Sequence, residues 1–303
     1  MDLVKKVVIL CGGIGGAKLV KGFYNNTGID LTVIVNTGDD AFIHGVCLSP
    51  DIDSVIYALA EVEGEFGWGR KEDSFTANKI FSELMGGFEF KLGDMDLGLN
   101  LYRTEMIKQG KTLTEITHLI SQHFGLKENI YPMSNDSVQT KILTEDDRLL
   151  DFQDYFVLQK AVPKIKEVFY KGSDEATVNN EILKIIKNSD FVVIAPSNPI
   201  LSIQPILSIN KYSESIKNHK KVILVSPFVG NETIKGPAAH NFLDLGFVPN
   251  VSGLENYYKG IVDKIIINYG DSKRTNSVEI LETNTIMKTK KNSIDLANYI
   301  LDQ

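Results

Sequence analysis

The turn Gly12-Gly13-Ile14-Gly15-Gly16 follows directly on the apolar run Val7-Val8-Ile9-Leu10. A strand, a tight glycine turn and a helix, in that order, point backbone N–H groups and the positive end of the helix at an anion. Glycines are needed where a Cβ would block the approach of a phosphate. The spacing fits neither common fingerprint. Gly13-x-Gly15 begins the dinucleotide pattern, but its third glycine would fall on Lys18. A Walker loop starting at Gly12 would need glycine at Ala17 and serine or threonine at Leu19. The turn therefore predicts a phosphate or nucleotide subsite formed by Gly12, Gly13, Gly15 and Gly16, with Lys18 to assist, and not an ordinary NAD or ATP site. The competing reading is a sharp structural turn with Lys18 on a solvated face.

Acids gather next. Asn36-Thr37-Gly38-Asp39-Asp40 is followed by Ser49-Pro50-Asp51-Ile52-Asp53. Asp39, Asp40, Asp51 and Asp53 could surround a divalent cation that also holds phosphate oxygens. Ser-Pro-Asp before an apolar helix is equally an N-terminal capping signal. Further along, Lys91 stands beside Gly93 on a loop that could reach an anionic group, and Trp68, the single tryptophan, lies between Gly67 and Gly69. Pro196-Ser197-Asn198-Pro199 and Ser226-Pro227-Phe228-Val229-Gly230-Asn231 carry Ser and Asn side chains able to bond base, ribose or phosphate; they are also ordinary turn formers. Other chemistries find less support. The five histidines show no metal-ligand spacing, and no Gly-x-Ser-x-Gly nucleophile elbow is present.

Composition narrows the class. In 303 residues, 43% are hydrophobic and 23% charged, as in ordinary globular proteins. A formal charge of −7 argues against a nucleic-acid-binding surface but leaves room for a small phosphorylated ligand. Cys11 and Cys47 predict reduced thiols. No signal peptide is visible and no apolar run approaches the roughly 20 residues of a membrane span. The expectation is a cytoplasmic protein acting on small molecules, with neither nucleic acid nor membrane as partner.

The elements that must position these groups are short β-branched runs, each ending in polar or glycine-bearing residues. They are 7–10, 31–35, 191–195, 221–225 and 264–267. Runs of this kind, separated by helical stretches, predict a mostly parallel sheet covered by helices, with ligands outside the carboxyl ends of the strands. Between residues 54 and 124 the pattern becomes helical: 54–63, 74–85, 94–109 and 113–124. In the third, Leu97/Leu101 and Tyr102/Met106 recur at i,i+4 beside a polar stripe of Asp96, Asn100 and Arg103. The fold class expected is α/β, a Rossmann-like three-layer core (residues 1–53 and 125–303) with an inserted helical subdomain (54–124). Short strands are expected at 140–143 and 155–158, and a surface loop at 270–277.

Taken in order, the glycine turn with Ala17-Lys18, Asn36 to Asp40, Ser49 to Asp53, Lys91-Leu92-Gly93-Asp94, Pro196 to Pro199 and Ser226 to Asn231 resemble the CofD family of deazaflavin coenzyme F-420 biosynthesis. The resemblance runs from residue 7 to about residue 260. It implies transfer of a 2-phospholactyl group from lactyl-2-diphospho-5'-guanosine to the deazaflavin Fo (7,8-didemethyl-8-hydroxy-5-deazariboflavin). GMP leaves, Mg²⁺ is required, and family members are often homodimers. By the same resemblance Asp51 and Lys91 bind Fo and are the expected catalytic residues; Trp68, which between its glycines could stack on a flat ring or simply pack, is the further Fo candidate. The glycine turn, Lys18, Ser197 and Asn198 hold the guanylyl part, and Mg²⁺ falls to the four aspartates. Methanogen members often read Gly-Gly-Thr-Gly-Thr-Pro-Lys at the first turn. Here it reads Gly-Gly-Ile-Gly-Gly-Ala-Lys, closer to bacterial members, so lactyl and enolpyruvyl donors both stand. A related bacterial group of nucleotide-sugar-binding regulators is the alternative from another functional class.

Overall fold

The computed structural model describes residues 4–24, 26–65, 67–87, 90–127, 129–271, 275 and 277–303. Seven strands form its central sheet: β1 (Lys5–Cys11), β2 (Ile29–Val35), β3 (Asn129–Pro132), β4 (Phe191–Ile194), β5 (Val222–Val225), β6 (Lys264–Asn268) and β7 (Glu279–Thr283). They lie in the order β7-β6-β5-β4-β1-β2-β3, every neighbouring pair parallel. Side chains alternate across this sheet and build two cores. Val8, Leu10, Ile34, Val192 and Leu224 face one; Val7, Ile9, Val33, Val193 and Ile223 face the other. Burial on both faces explains why these strands read as unbroken apolar runs.

The second core is covered by α1 (Gly13–Phe23), α2 (Pro50–Leu59) and the C-terminal helix Lys290–Leu301. The first is covered by helices Asn180–Asn188, Asn210–Lys217 and Val251–Tyr257, and by a three-stranded antiparallel sheet. The expected three-layer α/β architecture is what forms. The chain leaves β1 for β2 on one side while β4 lies on the other, so the strand order reverses between β1 and β4. At such a reversal the loops beyond the strands diverge and leave a crevice.

Between β2 and β3 no described residue joins the central sheet. It makes a hairpin, Ala41–Ile43 with Val46–Leu48, then α2, α3 (Thr76–Leu84), α4 (Asp94–Lys108) and α5 (Leu113–His123). Helix α2 starts at Pro50 and not at residue 54, because proline at the first helical position loses no hydrogen bond. Helices α3 and α4 cap each other. Asp73 accepts the amides of Met95 (2.8 Å) and Asp96 (3.1 Å) at the start of α4. Asp94 accepts those of Thr76 (3.1 Å) and Ala77 (3.0 Å) at the start of α3. A Cβ at Gly93 would collide with the Asp73 carboxylate and push it off these amides.

Two expectations change. Residues 155–158 are not a strand but part of a helical turn, Asp154–Leu158, closed by Gln159 N–H donating to Asp154 O at 2.8 Å. Its four-residue apolar run suits either state; the stacking of Phe152 on Phe156, 5.3 Å apart at i,i+4, belongs to the helical one. Residues 140–143 do form a strand, Gln139–Thr144, but in the small antiparallel sheet. Of the loop expected at 270–277, positions 272–274 and 276 lie outside the described residues. No helix among the described residues is long and apolar enough to cross a membrane.

Where α1 crosses the C-terminal helix, a Cβ at Gly22 would collide with the carbonyl oxygen of Ser293 and lie 3.1 Å from the Ser293 Cβ. Gly22→Ala therefore separates these two helices and lowers stability by about 1–3 kcal/mol. The urea midpoint reads this loss; a stability equal to wild type would contradict the packing described.

Candidate active site

A cavity of about 710 Å³ opens at the crevice where the strand order reverses. Its floor is the glycine turn after β1 and the loop after β4. Ser197 stitches the two together: its hydroxyl donates to Gly12 O at 2.6 Å and accepts from Gly12 N–H at 3.2 Å. The glycines answer to packing. A Cβ at Gly12 would strike Asp51 Oδ2, one at Gly15 would strike the Pro196 carbonyl, and one at Gly16 would lie 2.7 Å from both Cys11 Cβ and Ser197 Oγ. Gly13 sits at φ 64°, which favours glycine. Gly12, Gly13, Gly15 and Lys18 line the cavity; Gly16 is buried beneath it. Gly12 has no side chain to cap α1, and beyond the Gly13 amide, which Asp51 accepts, the first-turn amides of Ile14 and Gly15 remain donors beside the cavity.

Asp51 lies in the first turn of α2 and is only 7% exposed. Its Oδ1 accepts Gly13 N–H at 2.5 Å and its Oδ2 accepts the Asn36 amide at 2.9 Å. Burial pushes its pKa up to about 6, with those two hydrogen bonds pulling the other way. Asp39, also at the cavity, is pushed well above the ordinary carboxylate range by burial and then by the charges of Asp51 and Asp40. Asp53 is held at about 6 by burial against the opposing guanidinium of Arg103, its ion-pair partner. Asp40 does not line the cavity; it accepts the Ser49 hydroxyl at 2.7 Å, and its Oδ1 is sealed in without a partner. Ser49 thus serves Asp40 instead of capping α2 with its side chain. Among the described residues no three acidic, histidine or cysteine side chains converge as a metal cage.

Helix α4 turns its polar stripe inward. Asn100, Arg103 and Thr104 are its buried residues, while Leu101 and Tyr102 are exposed. Arg103, 1% exposed, is the one buried cation among the described residues. It pairs with Asp53, donates to the Asn100 side chain, and reaches Cys47 O at 3.2 Å. The apolar-inside rule cannot find such a residue; what reverses the helix is the acidic cluster that Arg103 neutralises. Lys91 and Trp68 line the cavity, brought in by the loop before α4 and the turn after α2, and Trp68 is 48% exposed. Ser197 and Asn198 line it too, yet their side chains are engaged within the protein. Asn198 Oδ1 accepts from Ile200 and Leu201 N–H, and its amide donates to Asn241 Oδ1 at 2.9 Å.

Sequence reasoning missed other parts of the wall. Tyr57, Asp96, the stacked pair Phe152 and Phe156, and residues 285–288 after β7 all face the cavity. Only Asp96 carried a signal, as a member of the polar stripe of α4.

Two outcomes follow from this electrostatics. In the folded protein Asp51 and Asp53 hold their protons up to about pH 6, whereas the unfolded chain releases them near 3.8. Folding therefore binds protons between those values, so in metal-free buffer stability is greatest below about pH 4 from this source and falls as pH rises through 6. Asp51→Asn flattens that slope in urea titrations across pH; an unchanged slope would contradict the assignment. Arg103→Met leaves Asp53 buried and unpaired and destabilises the fold by about 3–5 kcal/mol, read by the same titrations.

The family model and the sequence relatives agree on one family. The family model described as 2-phospho-L-lactate transferase CofD matches residues 7–299. A Methanocaldococcus jannaschii protein named 2-phospho-L-lactate transferase is 40% identical over 307 residues, covering 98% of this chain and 97% of that one. One of the same name from Methanococcus maripaludis strain C6 is 39% identical over 304 residues, covering 98% of each. A crystal structure from Bacillus halodurans, described as a member of the upf0052 family, superposes with a TM-score of 0.70. At 20% identity over 99% of both chains it shows a shared fold. With the family model spanning nearly its whole length, this chain belongs to the CofD family of 2-phospho-L-lactate transferases.

Proposed function

We propose that this protein transfers a 2-phospholactyl group from a guanylyl-activated donor to the deazaflavin Fo, the coenzyme F-420 pathway step of its family. The observation that carries this reading is that one cavity joins helix-terminal amides, the buried carboxyls of Asp39, Asp51 and Asp53, Lys91 and Trp68. The amides of Ile14 and Gly15 bind phosphate oxygens of the donor, with Lys18 beside them. Lys91 and Trp68 hold the acceptor so that a hydroxyl of its ribityl chain faces the phosphorus bearing lactate. Oxygen of that hydroxyl bonds to phosphorus, the bond to the GMP oxygen breaks, and the hydroxyl proton is released. Holding both partners in line supplies much of the acceleration in such transfers.

Asp39 and Asp51 suit Mg²⁺. The charge of Asp51 adds to the burden of buried Asp39, and Mg²⁺ commonly uses one or two protein carboxylates and completes its shell with substrate phosphates. Asp53 is paired with Arg103 and Asp40 does not line the cavity, which favours Asp39 and Asp51 among the four aspartates. Bound there, Mg²⁺ would neutralise charge on the diphosphate. Names of relatives at 39–40% identity favour the lactyl over the enolpyruvyl donor.

Purified protein with Mg²⁺, Fo and the lactyl nucleotide should yield phospholactylated Fo and GMP, detected by mass spectrometry, with the enolpyruvyl nucleotide a poorer donor. Asp51→Asn should lower turnover by at least about a hundredfold while the protein stays folded. No product from either donor, together with tight binding of a nucleotide-sugar, would replace the transferase with a regulatory protein.

A further inference from the structure

Asp96 faces the cavity from the first turn of α4. Its position is fixed twice. Its backbone N–H donates to Asp73 Oδ2 at 3.1 Å, and its Oδ1 accepts the Tyr57 hydroxyl at 2.6 Å. Tyr57 is 1% exposed, and burial together with the charges of Asp53 and Asp96 raises its pKa, so its hydroxyl acts as a donor. Asp96 forms no salt bridge among the described residues. Asn100, its neighbour on the cavity wall, turns its carboxamide to Asp96 O and to Arg103. Burial and the charge of Asp73 push the pKa of Asp96 up, while the Tyr57 hydrogen bond and the charges of Arg103 and Arg70 oppose them. Ile14, Trp68, Phe90 and Leu92 supply apolar and aromatic surface to the same cavity.

A carboxylate set in such a wall can only accept hydrogen bonds while ionised, and charge-assisted bonds of this kind are strong and directional. A flat ring resting on that wall would gain from presenting an N–H or O–H at its edge and would lose from presenting a carbonyl. We propose that Asp96, aimed by Tyr57, is a specificity-determining residue that reads a hydrogen-bond donor on the ring of the acceptor. This deepens the proposed function and rests on it, since it takes Fo as the ligand on the Lys91 and Trp68 side.

Because Trp68 is the single tryptophan, its fluorescence reports ring binding directly. Titrations of Fo into wild type and Asp96→Asn should show a loss of affinity of about tenfold or more in the variant, with GDP affinity retained. Tyr57→Phe, which keeps the carboxylate but frees it to rotate, should lose affinity less. Of two Fo analogues, one methylated at the ring imide nitrogen and one at the ring hydroxyl, wild type should reject one, and Asp96→Asn should no longer discriminate it from Fo. Equal Fo affinity in wild type and Asp96→Asn, or indifference of wild type to both methylations, overturns the assignment. Absence of Fo binding to wild type overturns instead the proposed function, and this inference with it.

Discussion

The carboxylate of Asp51 is the joint on which this site hangs. One oxygen takes the amide at the start of α1, the other takes Asn36 just after β2, and the residue itself sits in the first turn of α2. Three segments that approach from different strands are thereby fixed against each other by one buried group. The arrangement leaves no room for a Cβ at Gly12, so the turn's leading glycine is set by its acidic neighbour as much as by any ligand. It also takes up the Gly13 amide, leaving the next amides along α1 for phosphate.

Around that joint the protein tolerates a concentration of negative charge that burial alone would not permit. Arg103 answers Asp53, Ser49 answers Asp40, and Asn36 answers Asp51. Asp39 receives a long, 3.4 Å contact from Asn36 and a backbone hydrogen bond. Desolvation outweighs these partners at each acid, since all four carboxyls are displaced upward. Stability is lower for it, as is usual where a fold carries a functional site, and a bound cation or phosphate-bearing ligand set is what such a cluster suits.

The centre of the sheet was legible because β1, β2, β4, β5 and β6 are buried on both faces and read as apolar runs. Strands β3 and β7 lie at its two edges, where Asn129, Pro132 and Glu279 break that signal. The helical turn 154–158 and the strand 139–144 were hard to tell apart, since a four-residue run carries too few periods. At the site, the glycine turn and the acids were visible as local patterns. Arg103 was visible only as part of a polar stripe, whose burial depends on charges fifty residues away in sequence. Tyr57 and Phe152 have no pattern at all; only folding brings them to the cavity.

The exchanged aspartates of α3 and α4 carry a consequence for motion. Neither helix holds its own cap: Asp94 closes α3 and Asp73 closes α4. Fraying of one first turn withdraws the acceptor that protects the other, so the two ends open as a unit. Amide hydrogens at Thr76, Ala77, Met95 and Asp96 would then exchange with solvent through one shared opening, at the very edge of the loop that delivers Lys91.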